Sequence, residues 1–160
     1  MRVKELMTSP AYTCGIHDTA SVAVQIMWDR DCGVVPVTDD HGHVVGVVTD
    51  RDICMAAHLR GLPLFSLPID SVMSSPVYTC APDDDISDVE RRMSERQVRR
   101  VPVVDASGLP IGILSVGDVA LGVRRAGDIP KKPGQDLVNA VAAICQPRTN
   151  RPIQSTGVMS

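Results

Sequence analysis

Two short runs in this 160-residue chain place a hydroxyl and a carboxylate three positions apart, directly after an apolar stretch. They are Gly46-Val-Val-Thr49-Asp-Arg-Asp52 and Gly112-Ile-Leu-Ser115-Val-Gly-Asp118. Such spacing is first of all a helix-capping signal: the hydroxyl accepts an N–H of the first turn, and the acid reaches back to the N–H of the cap residue. The same groups can also bind. Open N–H groups and the helix dipole favour a phosphate at a helix N-terminus. A carboxylate beside them can accept both hydroxyls of a ribose, which a purely structural cap has no need to do. Other chemistry finds little support. His41 and His43 stand in H-x-H spacing, but a zinc site needs three or four donors and no further ligand lies near them in sequence. No nucleophile elbow, phosphate-binding P-loop or His paired by spacing with a Ser or Cys nucleophile is present. A binding module is expected, not an enzyme.

The elements that must hold these residues are written twice. Laying Met7 on Met73 places the chain on itself without a gap as far as Met55. Met7-Thr-Ser-Pro-Ala-Tyr-Thr-Cys14 covers Met73-Ser-Ser-Pro-Val-Tyr-Thr-Cys80, and Val35-Pro-Val37 covers Val101-Pro-Val103. Asp39, Gly42, Gly46 and Asp52 fall on Asp105, Gly108, Gly112 and Asp118. Each copy reads as strand, helix, strand, strand, helix. Ala11–Cys14 is expected as a short strand. Val22, Ala23, Ile26 and Met27 mark one face of a helix, and Ile86, Val89 and Met93 mark its counterpart. The second helix opens on Asp83-Asp84-Asp85, carboxylates where a helix N-terminus favours negative charge. Val34–Val37 with Val44–Val48, and Val101–Val104 with Ile111–Leu114, read as hairpins. Closing helices begin near Asp50 and Val116.

This predicts a mixed α/β (α+β) fold of two βαββα repeats packed as a pseudo-twofold disc. Residues 1–66 form the first repeat with its linker, 67–125 the second, and 126–160 a C-terminal extension. Beyond Gly122, Arg124-Arg125 and Lys131-Lys132-Pro133-Gly134 read as a polar, exposed link. Asp136–Cys145 reads as a short helix and Gln146–Ser160 as a mobile tail.

Composition narrows the function classes. The apolar fraction is 44%, yet Trp28, Phe65, Tyr12 and Tyr78 are the only aromatic residues. Base stacking, and so nucleic-acid binding, is disfavoured, and the net charge of −3 gives no pull on polyanions. Charged residues or glycine interrupt every apolar run, so no membrane span is expected. Met1-Arg-Val-Lys-Glu-Leu6 lacks the apolar core of a secretory signal, and the five scattered cysteines contain no C-x-x-C. A reduced cytoplasmic protein is expected.

The order Met-x-x-Pro, Val-Pro-Val strand, Asp-x-x-Gly hairpin and Gly-h-h-[Thr/Ser]-x-x-Asp ending (h, apolar), found twice between about Met7 and Val123, resembles the CBS (cystathionine-β-synthase) repeat. That resemblance implies a stand-alone regulatory pair that binds AMP, ADP, ATP or a related adenosyl ligand in clefts between the repeats. Asp52 and Asp118 would hold ribose, Thr49 and Ser115 would meet phosphate, and the backbone near Ala11 and Val77 would meet adenine. Each cleft would draw that last segment from the opposite repeat, pairing Thr49 and Asp52 with Val77, and Ser115 and Asp118 with Ala11. Arg99 and Arg100 would supply phosphate-binding cations, expected at the Thr49–Asp52 cleft and absent from the other. The rest of Glu90–Arg100 reads as a solvated helix face. The resemblance also implies a homodimer through the repeat helices, with Val22, Ala23, Ile26, Val89 and Met93 as its contacts, and a regulated protein downstream. The competing reading is a dimerisation adaptor whose clefts hold no physiological ligand.

Overall fold

The computed structural model describes residues 1–125 together with Val141. The expected helix Asp136–Cys145 and the tail Gln146–Ser160 lie outside the described residues, Val141 excepted. In the first repeat, β1 (Cys14–Gly15), α1 (Ala20–Asp29), β2 (Val34–Thr38), β3 (Val44–Thr49) and α2 (Asp50–Arg60) follow one another. In the second, α3 (Ile86–Arg96), β4 (Arg100–Val104), β5 (Pro110–Ser115) and α4 (Val116–Arg125) do the same. Strand β1 runs parallel to β2, which pairs antiparallel with β3. Cys80 stands in for β1 as a single parallel bridge to Val103 beside the β4–β5 hairpin.

The duplication extends to detail. Both hairpins carry a register shift at the same repeat position, between Val37 and Thr38 and between Val103 and Val104. Both turn on an aspartate. Asp39 accepts the N–H groups of His41 and His43 at 2.9 Å, and Asp105 accepts those of Ser107 and Leu109 at 2.8 and 3.0 Å. The positive φ that closes each turn falls on Gly42 (83°) and Gly108 (81°), where a side chain would be strained. The two tips lie side by side: a Cβ on Gly42 would meet Leu109, and one on Gly108 would meet His43.

Each repeat's core is completed by the other repeat's leading segment. Val3, Leu6 and Met7 pack with Val89, Met93, Val101, Val103, Leu114 and Val119 of the second repeat. Leu67, Ile69, Val72 and Met73 pack with Ala23, Met27, Val35, Val37, Val48 and Ile53 of the first. Backbone hydrogen bonds tie the exchange reciprocally. Thr8 and Ile113 trade two at 2.9 Å, while Val47 and Ser74 trade theirs at 3.2 and 2.8 Å. The packing crosses the boundary expected at residue 66. Of the three acids expected at the α3 N-terminus, Asp85 caps the helix by accepting the Ser87 N–H at 3.0 Å. Asp83 instead pairs with Lys4 at 2.6 Å and so pins the exchanged segment.

Four expectations change. The strand expected at Ala11–Cys14 shortens to Cys14–Gly15, because residues 11–13 leave the ladder and run beside a cleft. The buried stripe of α1 is Ala20, Ala23 and Met27, and Val22 faces solvent, because the core lies on the side where positions three and four apart recur from Ala20. Ala23, Val89 and Met93, expected as dimer contacts, are buried in the monomer's own cores. Helix α4 continues through Arg125, where a polar link was expected from Arg124. Among the described residues no helix is long and apolar enough to cross a membrane.

The exchange depends on two glycines. A Cβ on Gly112 would sit 2.8 Å from the Met7 sulfur and 2.9 Å from the Thr8 carbonyl oxygen; on Gly46 it would meet the Met73 sulfur at 2.6 Å and Ser74 O at 3.1 Å. The sulfur can swing away, but the Thr8 carbonyl cannot without losing its bond from Ile113. Gly112→Ala is therefore expected to lower the unfolding free energy by about 1–3 kcal/mol in a urea titration. An unchanged midpoint would show that the segment is not held as closely as described.

Candidate functional site

Both [Thr/Ser]-x-x-Asp runs form complete capping boxes. At α2, Thr49 Oγ1 accepts the Asp52 N–H at 3.1 Å and donates to Asp52 Oδ2 at 2.7 Å, while the Thr49 N–H donates to the same oxygen at 3.3 Å. At α4, the Asp118 N–H donates to Ser115 Oγ at 3.1 Å, and the Ser115 N–H and Oγ reach Asp118 Oδ2 at 2.8 and 2.6 Å. The box occupies one carboxylate oxygen. At Asp118 the other, Oδ1, accepts from the Thr8 hydroxyl at 3.3 Å, across the repeat boundary.

Around Ser115 and Asp118 opens a cavity of ≈ 290 Å³. Thr8, Pro10 and Tyr12 of the exchanged segment form one wall, Ile113, Ser115 and Asp118 another, and Arg30 to Val34 after α1 the third, with Arg100 at its edge. A left-handed residue, Asp31 at φ 48°, turns the chain sharply out of α1 and lays this stretch along the cleft. Two guanidiniums and two carboxylates therefore line one pocket. The Arg30 guanidinium also covers the Tyr12 ring, 4.0 Å from its centroid, making a flat cationic face.

The sequence-assigned residues fall as follows. Ser115 and Asp118 line the cavity together. Ala11 is half-buried between Pro10 and Tyr12, which line it. Val77 is half-buried in the equivalent segment of the other copy, which the Ser74–Val47 bridge draws alongside the strand leading to Thr49 and Asp52. Arg99 is exposed, and its carbonyl accepts the Val116 N–H at 3.0 Å. Arg100 differs from expectation: it lines the Ser115–Asp118 cavity, which was expected to receive no cation. The cause is hairpin register. In the antiparallel β4–β5 pair Arg100 lies opposite Ser115, so the strand's first residue stands beside its own repeat's motif.

Thr8, Tyr12, Arg30 and Asp31 were missed by sequence reasoning. A signal existed. Under the same offset Tyr12 falls on Tyr78 and Arg30 on Arg96, and the Arg96 guanidinium lies 5.4 Å from the Tyr78 centroid. A tyrosine–arginine pair is kept in both copies, though distant in sequence, and in the first copy it lines the cavity. The histidine pair has another use: His43 Nδ1 lies 3.5 Å from Asp39 Oδ2 within the hairpin turn. Among the described residues no group of three His, Cys, Asp or Glu side chains could hold a metal ion.

A family model for the CBS domain matches the chain twice, over residues 3–59 and 69–124. The chain belongs to the CBS domain family. The CBS domain-containing protein YhcV of Bacillus subtilis is 32% identical over 119 residues, 74% of this chain and 83% of that protein. Hypoxic response protein 1 of Mycobacterium tuberculosis is 29% identical over 144 residues, 90% of this chain and 94% of its own. Among solved structures, the CBS domain pair of protein MJ0100, in complex with 5′-methylthioadenosine and S-adenosyl-L-methionine, has a TM-score of 0.71 at 25% identity. That match covers 79% of this chain and 98% of the other. CBSX2 of Arabidopsis thaliana, in complex with AMP, has a TM-score of 0.67 at 25% identity with the same coverage. Hypoxic Response Protein I, solved with two coordinated zinc ions, has a TM-score of 0.68 at 28% identity and covers 76% of this chain and 98% of its own.

Each CBS repeat carries a cysteine at the end of the segment that borders a cleft. Burial pushes the Cys14 thiol up to about 11, helped by the nearby Asp18 carboxylate, and pushes Cys80 up to about 12. Both stay neutral at physiological pH and are closed to reagents, whereas Cys54 is exposed. Iodoacetamide on the native protein at pH 8, read by peptide mass spectrometry, is expected to label Cys54 and spare Cys14 and Cys80. Labelling of Cys80 at a rate near that of Cys54 would show that the strand opens readily.

Proposed function

We propose that this CBS pair binds an adenosine-containing nucleotide (AMP, ADP, ATP or a related adenosyl compound) in the clefts between its repeats and acts as a ligand sensor rather than a catalyst. One observation carries the reading. The cavity at Ser115 and Asp118 gathers groups that complement each part of a nucleotide: a carboxylate for ribose, the Arg100 guanidinium for phosphate and the Tyr12–Arg30 face for a base. Its size falls near the lower end for small-molecule pockets, which suits a nucleoside phosphate. Similar CBS pairs solved with AMP and with S-adenosyl-L-methionine support the same ligand class.

In this reading Asp118 offers Oδ1 to the ribose, with the Thr8 hydroxyl giving way or sharing, while Oδ2 stays in the capping box. Ser115 and the open end of α4 meet phosphate, and backbone near Ala11 meets adenine. Thr49, Asp52 and Val77 take these roles in the second cleft, with Arg99 beside the start of β4.

A ligand that binds only the folded state raises its stability by about 2.7 kcal/mol at a hundredfold excess over its dissociation constant. AMP, ADP, ATP, NAD, NADH and S-adenosylmethionine are to be compared by thermal shift at millimolar concentration. At least one is expected to raise the melting temperature by several degrees, less so in Asp118→Ala. No shift from any of them would favour the adaptor reading.

Self-association is the second part of the proposal, and a revised surface supports it. Val22 and Trp28 on α1, Met55 and Leu59 on α2 and Phe65 in the linker are exposed, Trp28 by 84% and Phe65 by 72%. All belong to the first repeat and its linker, on elements that pack against one another. A dimer covering them would shield large apolar side chains that a monomer leaves in water. Light scattering at micromolar concentration is expected to give twice the 17.2 kDa chain mass. A mass near one chain would remove the dimer.

A further inference from the structure

Arg100 holds a place that belongs to both clefts. Under the offset that lays Met7 on Met73, its counterpart is Val34, and the two line the same cavity. In a reciprocal pair of repeats, two equivalent residues share one cavity only if both stand next to the axis relating the copies. Each such position then faces both clefts. The side chain bears this out. On one side Arg100 stands opposite Ser115 in the hairpin register. On the other, a terminal guanidinium nitrogen lies 3.5 Å from where a Gly33 Cβ would be, a point only 3.2 Å from an Asp50 carboxylate oxygen. Asp50 directly follows Thr49, the cap of the opposite cleft. Gly33 leaves the room that this guanidinium uses.

The charges are therefore unevenly shared. Arg30 lines the Ser115–Asp118 cavity beside Tyr12, and its counterpart Arg96 lies near Tyr78, the repeat equivalent of Tyr12. At the axis there is one cation, because the partner position is Val34. Arg100 is exposed and forms no ion pair among the described residues, so its guanidinium can turn towards either side. We infer that Arg100 is a single phosphate-binding cation shared by the two clefts, so that a phosphate bound in one weakens phosphate binding in the other. The inference rests on the proposed nucleotide-binding function and adds a sign to it. Coupling of this kind is reciprocal: whichever cleft fills first, the second is weakened by the same factor. A charge-assisted hydrogen bond lost to the second phosphate sets the scale at about tenfold or more.

Unequal clefts would also give two binding events, so the test must separate inequality from coupling. Isothermal titration with AMP on Asp52→Ala and Asp118→Ala gives the affinity of each cleft with the other disabled. In the wild-type protein the second event is expected to be about tenfold or more weaker than the weaker of those two values. With Arg100→Ala added to all three proteins, that gap is expected to close. Adenosine, which carries no phosphate, is expected to show no gap even in the wild type. Wild-type constants equal to the single-cleft values, or a gap that survives Arg100→Ala, would overturn the shared cation while leaving nucleotide binding intact. No AMP binding in any of the proteins would overturn both.

Discussion

The approach of each leading segment to the opposite repeat's hairpin is the contact on which the rest of this structure depends. It is a backbone-to-backbone approach, made over Gly46 and Gly112 and sealed by paired hydrogen bonds at Ser74–Val47 and Thr8–Ile113. A hairpin and two short helices bury little alone. Here each repeat borrows apolar residues from the far end of the other, so neither core closes without both. The first glycine of the Gly-h-h-[Thr/Ser]-x-x-Asp motif is thus a packing residue. It admits the neighbouring chain three residues before the strand ends at the hydroxyl.

The same contact builds the cleft. Once Thr8 is bonded to Ile113, the next residues of the leading segment, Pro10 and Tyr12, run beside Ser115 and Asp118. The hydroxyl of Thr8 reaches the carboxylate oxygen that the capping box leaves over. Structural and binding roles are therefore not rivals here. The box holds Oδ2 and the first N–H groups in order, and that fixed geometry leaves Oδ1 outside the box, on a residue that lines the cavity. Both Asp118 carboxylate oxygens already have partners, so any further donor at Oδ1 must displace the Thr8 hydroxyl or share the oxygen with it.

The duplication made the repeat order, the hairpins and the capping boxes legible in the sequence, since each is a local pattern that recurs in both copies. Three core residues were assigned to a dimer face for a physical reason. Apolar periodicity reports that a helix has a buried side, but it cannot separate a side buried in the monomer from one buried in a dimer. Ala23, Val89 and Met93 belong to the first kind, and the exposed apolar side chains at Trp28, Leu59 and Phe65 break the helical pattern that would have announced them. Tyr12 and Arg30 were passed over because they are far apart in sequence and meet only in the folded chain, where the end of α1 lays the Arg30 guanidinium over the Tyr12 ring.

The placement of Arg100 marks the boundary between the two kinds of information. That a basic pair precedes the second Val-Pro-Val strand is plain in the sequence, and so is its absence from the first. Which cleft receives the cation is not, because that depends on which residue of the facing strand lies opposite it. Antiparallel register sets Arg100 against Ser115, and the pseudo-twofold packing then sets it beside Gly33 and Asp50 of the other repeat. The sequence by itself determined the parts: two repeats, two caps, and an unmatched basic pair ending in Arg100. Only the tertiary structure decided where that arginine stands, because register and the meeting of two copies at an axis arise between segments distant in the chain, where no local pattern reaches.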